Sequence, residues 1–577
     1  MPTSQRSFLQ IPHPSRLYFV VDSRAKRRNN AQPVTEDSKR DLANSSFFGG
    51  LLLLLCALTF YYFAVLRIDY QKTALLDLAP YPDATEYFAQ AKALSKWGWP
   101  WIQIGYDKLP SRYPFGYPAL MLPWIKILPA ADAVLAPFRT NQTLGLLMLL
   151  TVFAFYAYLA MPLTGGVAVL LLATLPGFFT FCRSSLSELS ASFVAVLAFM
   201  FAYLGFKEES RWKLYLSAVL LGLSLNIRIQ SLFFAPLLLI MALLPVRGMR
   251  WHWFLHCAAL PLVFLLAASP VLLLNTIQFR SPLKTGYDFW GPYLTENHLL
   301  FSLRYVPGNA LALWKESTLQ PHGFMVGHLF GTGAYFVPAF LFLTCAGLFF
   351  VPRNWFVRCA FLGALSYSGA ALCFLFSQEL RLYLPILILL VAVAALPVTW
   401  AAKNLFTGQR TVIALILLIL FAGACLGYPS RSGFNTSGIN WSQAWEAVHF
   451  PSRPRKSTWL IAQRRFLKAF SREPGIVLSD IDPVYLNAFF PDWIAAAPLD
   501  GKHHYGYSRI WRYARPQALA LVKRGLDQRH AVYALFVSQK DMKENNARLP
   551  AVDGYEWAPA ETSGRKVVIL KLNPNGG

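Results

Sequence analysis

Long apolar stretches alternate with short polar ones along most of the chain. The first apolar stretch runs near residues 47–66, and ten more lie near residues 142–161, 166–182, 189–206, 214–227, 229–245, 254–275, 333–351, 359–376, 382–400 and 411–427. About 20 apolar residues at 1.5 Å per residue match the ~30 Å of hydrocarbon in a bilayer. The pattern therefore predicts eleven transmembrane helices.

Basic residues indicate how these helices are oriented. They cluster in residues 1–46 and in alternate connections, at 207–213, 247–250, 353–358 and 403–410. Because Lys and Arg concentrate on the cytoplasmic side, residues 1–46 are predicted to be a cytoplasmic basic tail. The tail has no cleavable signal pattern. An odd number of spans then puts the C-terminus outside, together with two large outer loops at 67–140 and 276–330.

The composition changes after about residue 428, where apolar runs shorten and charges return. Strand-like runs at 475–480, 493–499, 532–538 and 566–572 alternate with helical patterns at 456–472 and 508–527. The predicted fold class is an all-α polytopic membrane protein with a small C-terminal α/β domain. Its parts are the tail, a transmembrane domain at 47–427 and an extracytoplasmic domain at 428–577.

Composition supports the membrane class and excludes several functions. Hydrophobic residues make up 55% of the chain and charged residues 14%, against about 25% charged in soluble domains. The formal charge of +24 is typical of cytoplasmic loops facing anionic lipid, so no nucleic-acid partner is expected. The seven cysteines lack the paired spacings of disulfides or zinc sites. Without a P-loop or dinucleotide motif, nucleotide-sugar or ATP use is unsupported.

An acidic helix after the first span is the best candidate for chemistry. Asp83 follows Pro82 and is positioned to cap a helix whose first turn carries Glu86. One interpretation is a capped, solvated turn. The aromatic and basic residues of the same loop, among them Arg112 and Tyr113, favour a partly shielded carboxylate that acts as a general base.

Three arginines lie in short turns on the predicted outer side: Arg183, Arg228 and Arg381. A single arginine at such a boundary can simply extend to the interface, whereas three on one side favour anion binding. Two acids accompany them. Glu188 either neutralises Arg183 or adds a second carboxylate, and Glu379 is placed to hold Arg381 while Arg381 binds a phosphate.

Several landmarks occur in a fixed order along residues 47–400. They are Asp-x-x-Glu-Tyr after the first span, Tyr-Pro-x-Gly-Tyr-Pro, Arg-x-x-x-x-Glu after the third, Asn-x-x-x-Phe-x-Ser-Pro-Leu-x-Thr-Gly-Tyr after the seventh, and Glu-Leu-Arg-x-Tyr-Leu-Pro. In this order they resemble the protein mannosyltransferase and aminoarabinose transferase group. These enzymes are glycosyltransferases of the GT-C fold.

The resemblance implies a sugar donor carried on a polyprenyl monophosphate and a first-loop aspartate as catalytic base. Asp83 would be that base, with Glu86 beside it. The commonest pattern has two adjacent acids, whereas Ala84 follows Asp83 here. The expected phosphate-binding residues are Arg183, Arg381 and Arg112, and the expected supporting residues are Glu188, Tyr87, Tyr113 and Glu379.

The expected reaction is a single displacement with inversion at the plasma (inner) membrane of a bacterium. The expected partners are the lipid bilayer, a polyprenyl-phosphate-linked sugar and an acceptor protein, lipid or glycan. No cofactor is required, although an acidic pair can bind a divalent ion. The alternatives are a transporter or flippase, which favours charged residues within spans and two matching halves, and an oligosaccharide ligase or polymerase.

Overall fold

The computed structural model describes residues 36–67, 83–243, 250–317, 338–375, 381–404, 458–499, 515–561 and 567–575. Its membrane part is helical. The helices are α1 (Glu36–Tyr61), α2 (Asp83–Trp97), α3 (Gly116–Ile127), α4 (Ala136–Tyr158), α5 (Pro162–Thr174), α6 (Pro176–Cys182), α7 (Glu188–Lys207), α8 (Arg211–Leu225), α9 (Ala235–Leu243), α10 (Arg250–Phe279), α11 (Gly286–Trp290), α12 (Pro292–Glu296), α13 (Val306–Ser317), α14 (Pro338–Leu348), α15 (Trp355–Leu372) and α16 (Leu384–Asn404).

Six helical segments among the described residues are long and apolar enough to cross a membrane. They are Ser46–Leu66, Asp132–Tyr158, Glu188–Lys207, Leu255–Phe279, Trp355–Leu372 and Arg381–Ala402, with shorter apolar segments at Pro162–Thr174 and Ile229–Leu243. The chain is thus a multi-pass membrane protein. The predicted span at 411–427 lies outside the described residues, so the number eleven stays a prediction.

Local sequence explains where several elements depart from the predicted bounds. The stretch predicted as one span at 166–182 is two helices, α5 and α6, separated at Leu175. Pro176 causes the break because proline lacks an N–H donor and disfavours helical geometry in the residue before it. At the other boundaries, α1 already begins at Glu36 inside the predicted tail, and α4 begins at Ala136 inside the predicted outer loop.

The segment after the first span contains a hairpin that the hydrophobic pattern did not predict. Strands β1 (Trp101–Ile104) and β2 (Asp107–Pro110) pair antiparallel, with Trp101 opposite Pro110. The turn uses Gly105 at a φ of 59°, a backbone conformation that glycine adopts without steric cost. The hairpin thus connects α2 to the loop at 111–115 that precedes α3.

The C-terminal part is an α/β domain with a five-stranded sheet. Its strands are β3 (Gly475–Ser479), β4 (Ile494–Pro498), β5 (Ala531–Phe536), β6 (Tyr555–Glu561) and β7 (Val568–Pro574), and its helices are α17 (Thr458–Phe470), α18 (Pro483–Phe489), α19 (Arg515–Asp527) and α20 (Gln539–Asn545). The order is β4-β3-β5-β7-β6, with β3 parallel to both neighbours and β7 antiparallel to β5 and β6. Four strands lie where the sequence predicted them, and β6 was missed.

This sheet domain packs directly against the segment after the first span. The Asn487 amide donates to the carbonyls of Gln103 and Ala496, both at 2.9 Å, and the Gly105 N–H donates to Ala496 at 2.7 Å. The rings of Phe88 and Phe489 lie 5.1 Å apart. The domain therefore packs against α2 and the β1–β2 hairpin.

Candidate active site

Asp83 is the first residue of α2 and is only 6% exposed. Arg381 Nη1 donates to Asp83 Oδ2 at 2.6 Å, across 298 positions of sequence. The Tyr113 hydroxyl donates to the other carboxylate oxygen, Oδ1. The two bonds come from separate parts of the chain, so the carboxylate is held by tertiary structure rather than by the cap alone.

Arg381 joins Asp83 to a second buried carboxylate. Arg381 Nη1 lies 3.4 Å from Glu188 Oε1, and Arg228 Nη1 lies 2.7 Å from that same oxygen. Glu188 is the first residue of α7, where a negative charge is favoured by the exposed N–H groups of the helix end. Two carboxylates and two guanidinium groups thus alternate in one chain of ion pairs.

A small cleft opens beside these charges. Glu188, Arg228 and Arg381 form its charged wall, next to the polar Gln230 and Ser231. Apart from Ser192, the rest of the lining is mainly apolar and consists of Ala191, Ala195, Phe234, Tyr367, Leu382 and Pro385. Cationic and apolar surfaces in one cleft suit an anionic headgroup on a hydrocarbon chain.

Tyr87 and Ser187 connect α2 to the other end of this chain of charges. The Tyr87 and Ser187 hydroxyls lie 2.8 Å apart, and Arg228 Nη1 donates to Ser187 Oγ at 3.2 Å. Tyr87 also packs against Tyr113, with ring centroids 4.8 Å apart. Asp83 and Tyr87 lie four residues apart and therefore on one face of α2. Helix α2 is thus linked to Arg381 through Asp83 and to Arg228 through Tyr87 and Ser187.

Glu86 is fully buried, and its partners differ from those of Asp83. The Ser111 hydroxyl donates to Glu86 Oε2 at 2.7 Å, and the Arg112 backbone N–H donates to the same oxygen at 2.9 Å. Arg112 Nε lies 3.3 Å from Glu86 Oε1. Glu86 and Arg112, predicted as a catalytic residue and a phosphate ligand, pair with each other, and both roles stay predictions.

Helix α11 packs against the loop that contains Ser111 and holds it in place. The Trp290 indole N–H donates to the Pro110 carbonyl at 2.8 Å. A Cβ at Gly286 would lie 2.0 Å from the Ser111 carbonyl oxygen, so only glycine permits this approach. As a result, the Tyr287 ring packs edge-on against Tyr113 at 5.8 Å.

Asn226 positions the turn that carries Arg228. Its Oδ1 accepts from the Val271 N–H at 2.9 Å, and its Nδ2 donates to the Ala267 carbonyl at 3.0 Å. These two groups are i and i−4 in α10, next to Pro270, so the amide replaces a helical hydrogen bond. Asn226 also accepts from the Gly116 N–H at 2.7 Å. The sequence does not reveal this role of Asn226, because the residues it contacts are remote in sequence.

Arg183 lies buried in the turn between α6 and α7. Asn141 holds that turn by donating to the carbonyls of Ser184 and Leu186 at 2.9 and 2.7 Å. Among the described residues, those that line the cleft include Arg228 and Arg381 but not Arg183. Glu188 was predicted to pair with Arg183 or to join the cavity; it joins the cavity. Glu379 lies outside the described residues.

Electrostatics keep the carboxylate and the phenols of the site in different protonation states. Burial raises the pKa of Asp83, but Arg381, the Tyr113 hydroxyl and Arg228 outweigh it, so its pKa lies below the ordinary value. Burial, reinforced by the nearby Asp83 carboxylate, holds the pKa values of Tyr113 and Tyr87 well above those of ordinary phenols. The tyrosines therefore remain hydrogen-bond donors at neutral pH.

Metal binding has no described ligand set in this part of the molecule. Across the described ranges, no three or more His, Cys, Asp or Glu side chains group closely enough to bind a metal ion. Asp83 and Glu188 instead have arginines as their partners. The expectation that no cofactor is needed stays a prediction.

The fold is that of a polytopic membrane protein of the GT-C type. Two solved structures share it. ArnT from Cupriavidus metallidurans bound to undecaprenyl phosphate has a TM-score of 0.53 and 14% sequence identity, and it covers 90% of this chain and 97% of its own. The apo state of the same protein gives 0.53 and 13% at the same coverage. The resemblance to the aminoarabinose transferase group is thus confirmed at the level of the fold.

Sequence comparisons add nothing to this likeness. No family model matches the chain. No curated protein matches it either.

Proposed function

We propose that the protein is an integral membrane glycosyltransferase that moves a sugar from a polyprenyl-phosphate donor to an acceptor at the extracytoplasmic face. The observation that carries this proposal is the Asp83–Arg381–Glu188–Arg228 chain of ion pairs beside a half-apolar cleft. The shared fold with ArnT, whose structure contains undecaprenyl phosphate, supports the class of donor.

In the proposed reaction, an acceptor hydroxyl or amine attacks the anomeric carbon of the sugar. Asp83 takes the proton from the attacking atom while the bond between that carbon and the phosphate oxygen breaks. The electron pair leaves with the phosphate oxygen, so the products are glycosylated acceptor and polyprenyl phosphate. Attack from the face opposite the leaving group inverts the configuration.

The arginines supply the charge that the leaving phosphate needs. Arg228 and Arg381 both line the cleft, and a guanidinium group binds phosphate oxygens through two parallel N–H bonds. Glu188 holds the two arginines at a common oxygen. Arg183, also predicted for this role, remains a candidate from its place in the adjacent turn.

The cleft also accounts for the apolar part of the donor. Its apolar residues come from α7, from α15, and from the apolar helical segments Ile229–Leu243 and Arg381–Ala402. An isoprenoid chain can then remain among the helices while its phosphate reaches the arginines. A nucleotide-linked sugar has no comparable apolar portion.

A turnover assay tests the proposal. Purified protein in detergent is incubated with a polyprenyl-phosphate-linked sugar and candidate acceptors, and lipid products are followed by mass spectrometry. We expect free polyprenyl phosphate to accumulate together with glycosylated acceptor. A donor that stays intact with every acceptor, while being moved between leaflets in vesicles, would instead establish the transporter alternative.

A further inference from the structure

Arg381 lies between the cleft and the predicted base. It lines the cleft, whereas Asp83 does not appear among the described lining residues. Each Asp83 oxygen is already bonded, one to Arg381 and the other to Tyr113. In this state Arg381 compensates the negative charge of the Asp83 carboxylate, so the carboxylate is a weak acceptor for a substrate proton.

The local charges are balanced before any substrate enters. Asp83 and Glu188 carry two negative charges, and Arg228 and Arg381 carry two positive ones. A phosphodiester brings a further negative charge into this low-dielectric setting. Because Arg381 faces the cleft, it is the cation that an incoming phosphate meets on the way to Asp83.

We infer that the donor phosphate draws Arg381 away from Asp83 and thereby converts an ion-paired carboxylate into the general base, so that donor must bind before the acceptor can react. The inference rests on the proposed function and adds the regulation of its active site. The acceptor proton moves to the released Asp83 oxygen as the anomeric bond forms and the phosphate leaves.

The groups around Asp83 determine how this exchange changes the pKa of its carboxyl group. Burial raises the pKa of Asp83, and Arg381 is the largest influence that lowers it; the Tyr113 hydroxyl and Arg228 lower it less. When the phosphate pairs with Arg381, Arg381 no longer offsets the effect of burial, and the pKa of Asp83 rises toward the operating pH. A general base works best in that range. Tyr113 stays bonded to Oδ1 and keeps the carboxylate oriented.

A hydrophobic carbodiimide tests the exchange, because it modifies buried carboxyl groups in their protonated form. Full-length protein in detergent is labelled near neutral pH with and without saturating undecaprenyl phosphate, and each site is quantified by peptide mass spectrometry. We expect the lipid to raise labelling of Asp83 severalfold. Glu86 is the matched internal control, because its partners Ser111 and Arg112 are not among the described cleft residues.

Variants separate ion-pair exchange from general loosening. We expect Arg381→Ala to label Asp83 without lipid and to show no further increase with it. Tyr113→Phe should keep the lipid dependence, because it leaves the Arg381 bond intact. Labelling of Glu86 in Arg381→Ala would indicate that this variant unfolds. In that case Arg381→Lys, which keeps a cation, replaces it, and we expect its Asp83 labelling still to depend on the lipid.

Lipid binding is measured in parallel by native mass spectrometry. Bound lipid with unchanged or reduced Asp83 labelling in the wild-type protein would overturn the inference and leave the proposed function standing. If undecaprenyl phosphate does not bind at all, both fail. A rise in labelling in a protein that never releases polyprenyl phosphate from a sugar donor would support the exchange and reject the transferase.

Discussion

Asp83 and Glu86 lie three residues apart on the first turn of α2, and both are buried. Asp83 is bonded by Tyr113 and by Arg381, and Arg381 lines the cleft. Glu86 is bonded by the hydroxyl of Ser111 and the backbone of Arg112, within a packed loop. Spacing made the two acids look equivalent, and their partners separate them.

The difference indicates how a buried carboxylate is committed to chemistry or to structure. A backbone N–H cannot move without moving the chain, so the Arg112 N–H holds Glu86 in place in addition to the contact of the Arg112 side chain. A guanidinium on a long side chain can exchange one anion for another. The same short loop contacts both acids, because Ser111 and Arg112 hold Glu86 while Tyr113 holds Asp83. Damage to that loop should therefore reach both.

The strongest contrast is expected from Asp83→Asn. The amide keeps the size of the side chain but cannot accept the acceptor's proton, so sugar transfer should fall by about 10²–10⁴-fold. Release of polyprenyl phosphate from a lipid-linked sugar measures this, and the elution profile in detergent controls for folding. Turnover at the wild-type rate would remove Asp83 from its proposed role.

Glu86→Ala should affect stability more than chemistry. It leaves Ser111 and the Arg112 side chain without their buried acceptor, which costs about 3–5 kcal/mol for a broken buried pair. Thermal unfolding in detergent should shift down strongly, with activity lost in proportion to the folded fraction. Glu86→Gln, which still accepts both N–H and O–H bonds, should lose less. A stable but inactive Glu86→Gln would place Glu86 in the reaction.

Gly286→Ala probes the loop shared by the two acids. The new Cβ would lie 2.0 Å from the Ser111 carbonyl oxygen and 2.5 Å from Arg112 Cα, so α11 or the loop must move. We expect a loss of about 1–3 kcal/mol, typical of overpacking, with reduced turnover. Gly291→Ala is the matched control, since its nearest neighbour is 3.4 Å away. Equal effects of the two substitutions would contradict the close approach.

The smallest effect is expected on the pH dependence of stability, from Asp482 in the C-terminal domain. Burial raises the pKa of Asp482 to about 7, with the Glu86 carboxylate adding to the rise. The folded state thus binds more protons than the unfolded one, so stability falls as pH rises from about 4 to about 7. Asp482→Asn should remove this decline.

The Asp482→Asn variant is expected to keep its structural role. The Asp482 carboxylate caps α18 by accepting from the Val484 and Tyr485 N–H groups at 2.8 and 3.3 Å, and an asparagine oxygen can do the same. The variant should melt higher than wild type at alkaline pH and equally at acidic pH. Parallel melting curves across the pH range would show that Asp482 does not titrate in this window.

Local signals predicted the parts of the fold that depend on local physics. Hydropathy located the long spans, and the Pro82-Asp83 pair marked the start of α2, which begins at Asp83. Short β-branched runs marked β3, β5 and β7. Arg381 and Glu188 were singled out because charges at membrane boundaries are costly and therefore need a reason.

Pairings between distant residues were beyond the sequence. Nothing near Glu188 indicates that its main partner is Arg228 rather than the nearer Arg183. The β1–β2 hairpin depends on its contact with Ala496 and Asn487, almost 400 positions later. Residue type and spacing also do not show that Glu86 and Arg112 pair with each other, and their predicted roles in the reaction stay predictions.

The ion pair between Asp83 and Arg381 spans 298 positions of the chain. At about 5–20 residues per second, the ribosome adds the second partner roughly 15–60 s after the first. During that interval the nascent protein already has its first helices in the bilayer but lacks an assembled centre. A chain that ends before residue 381 would therefore lack the guanidinium that holds the Asp83 carboxylate.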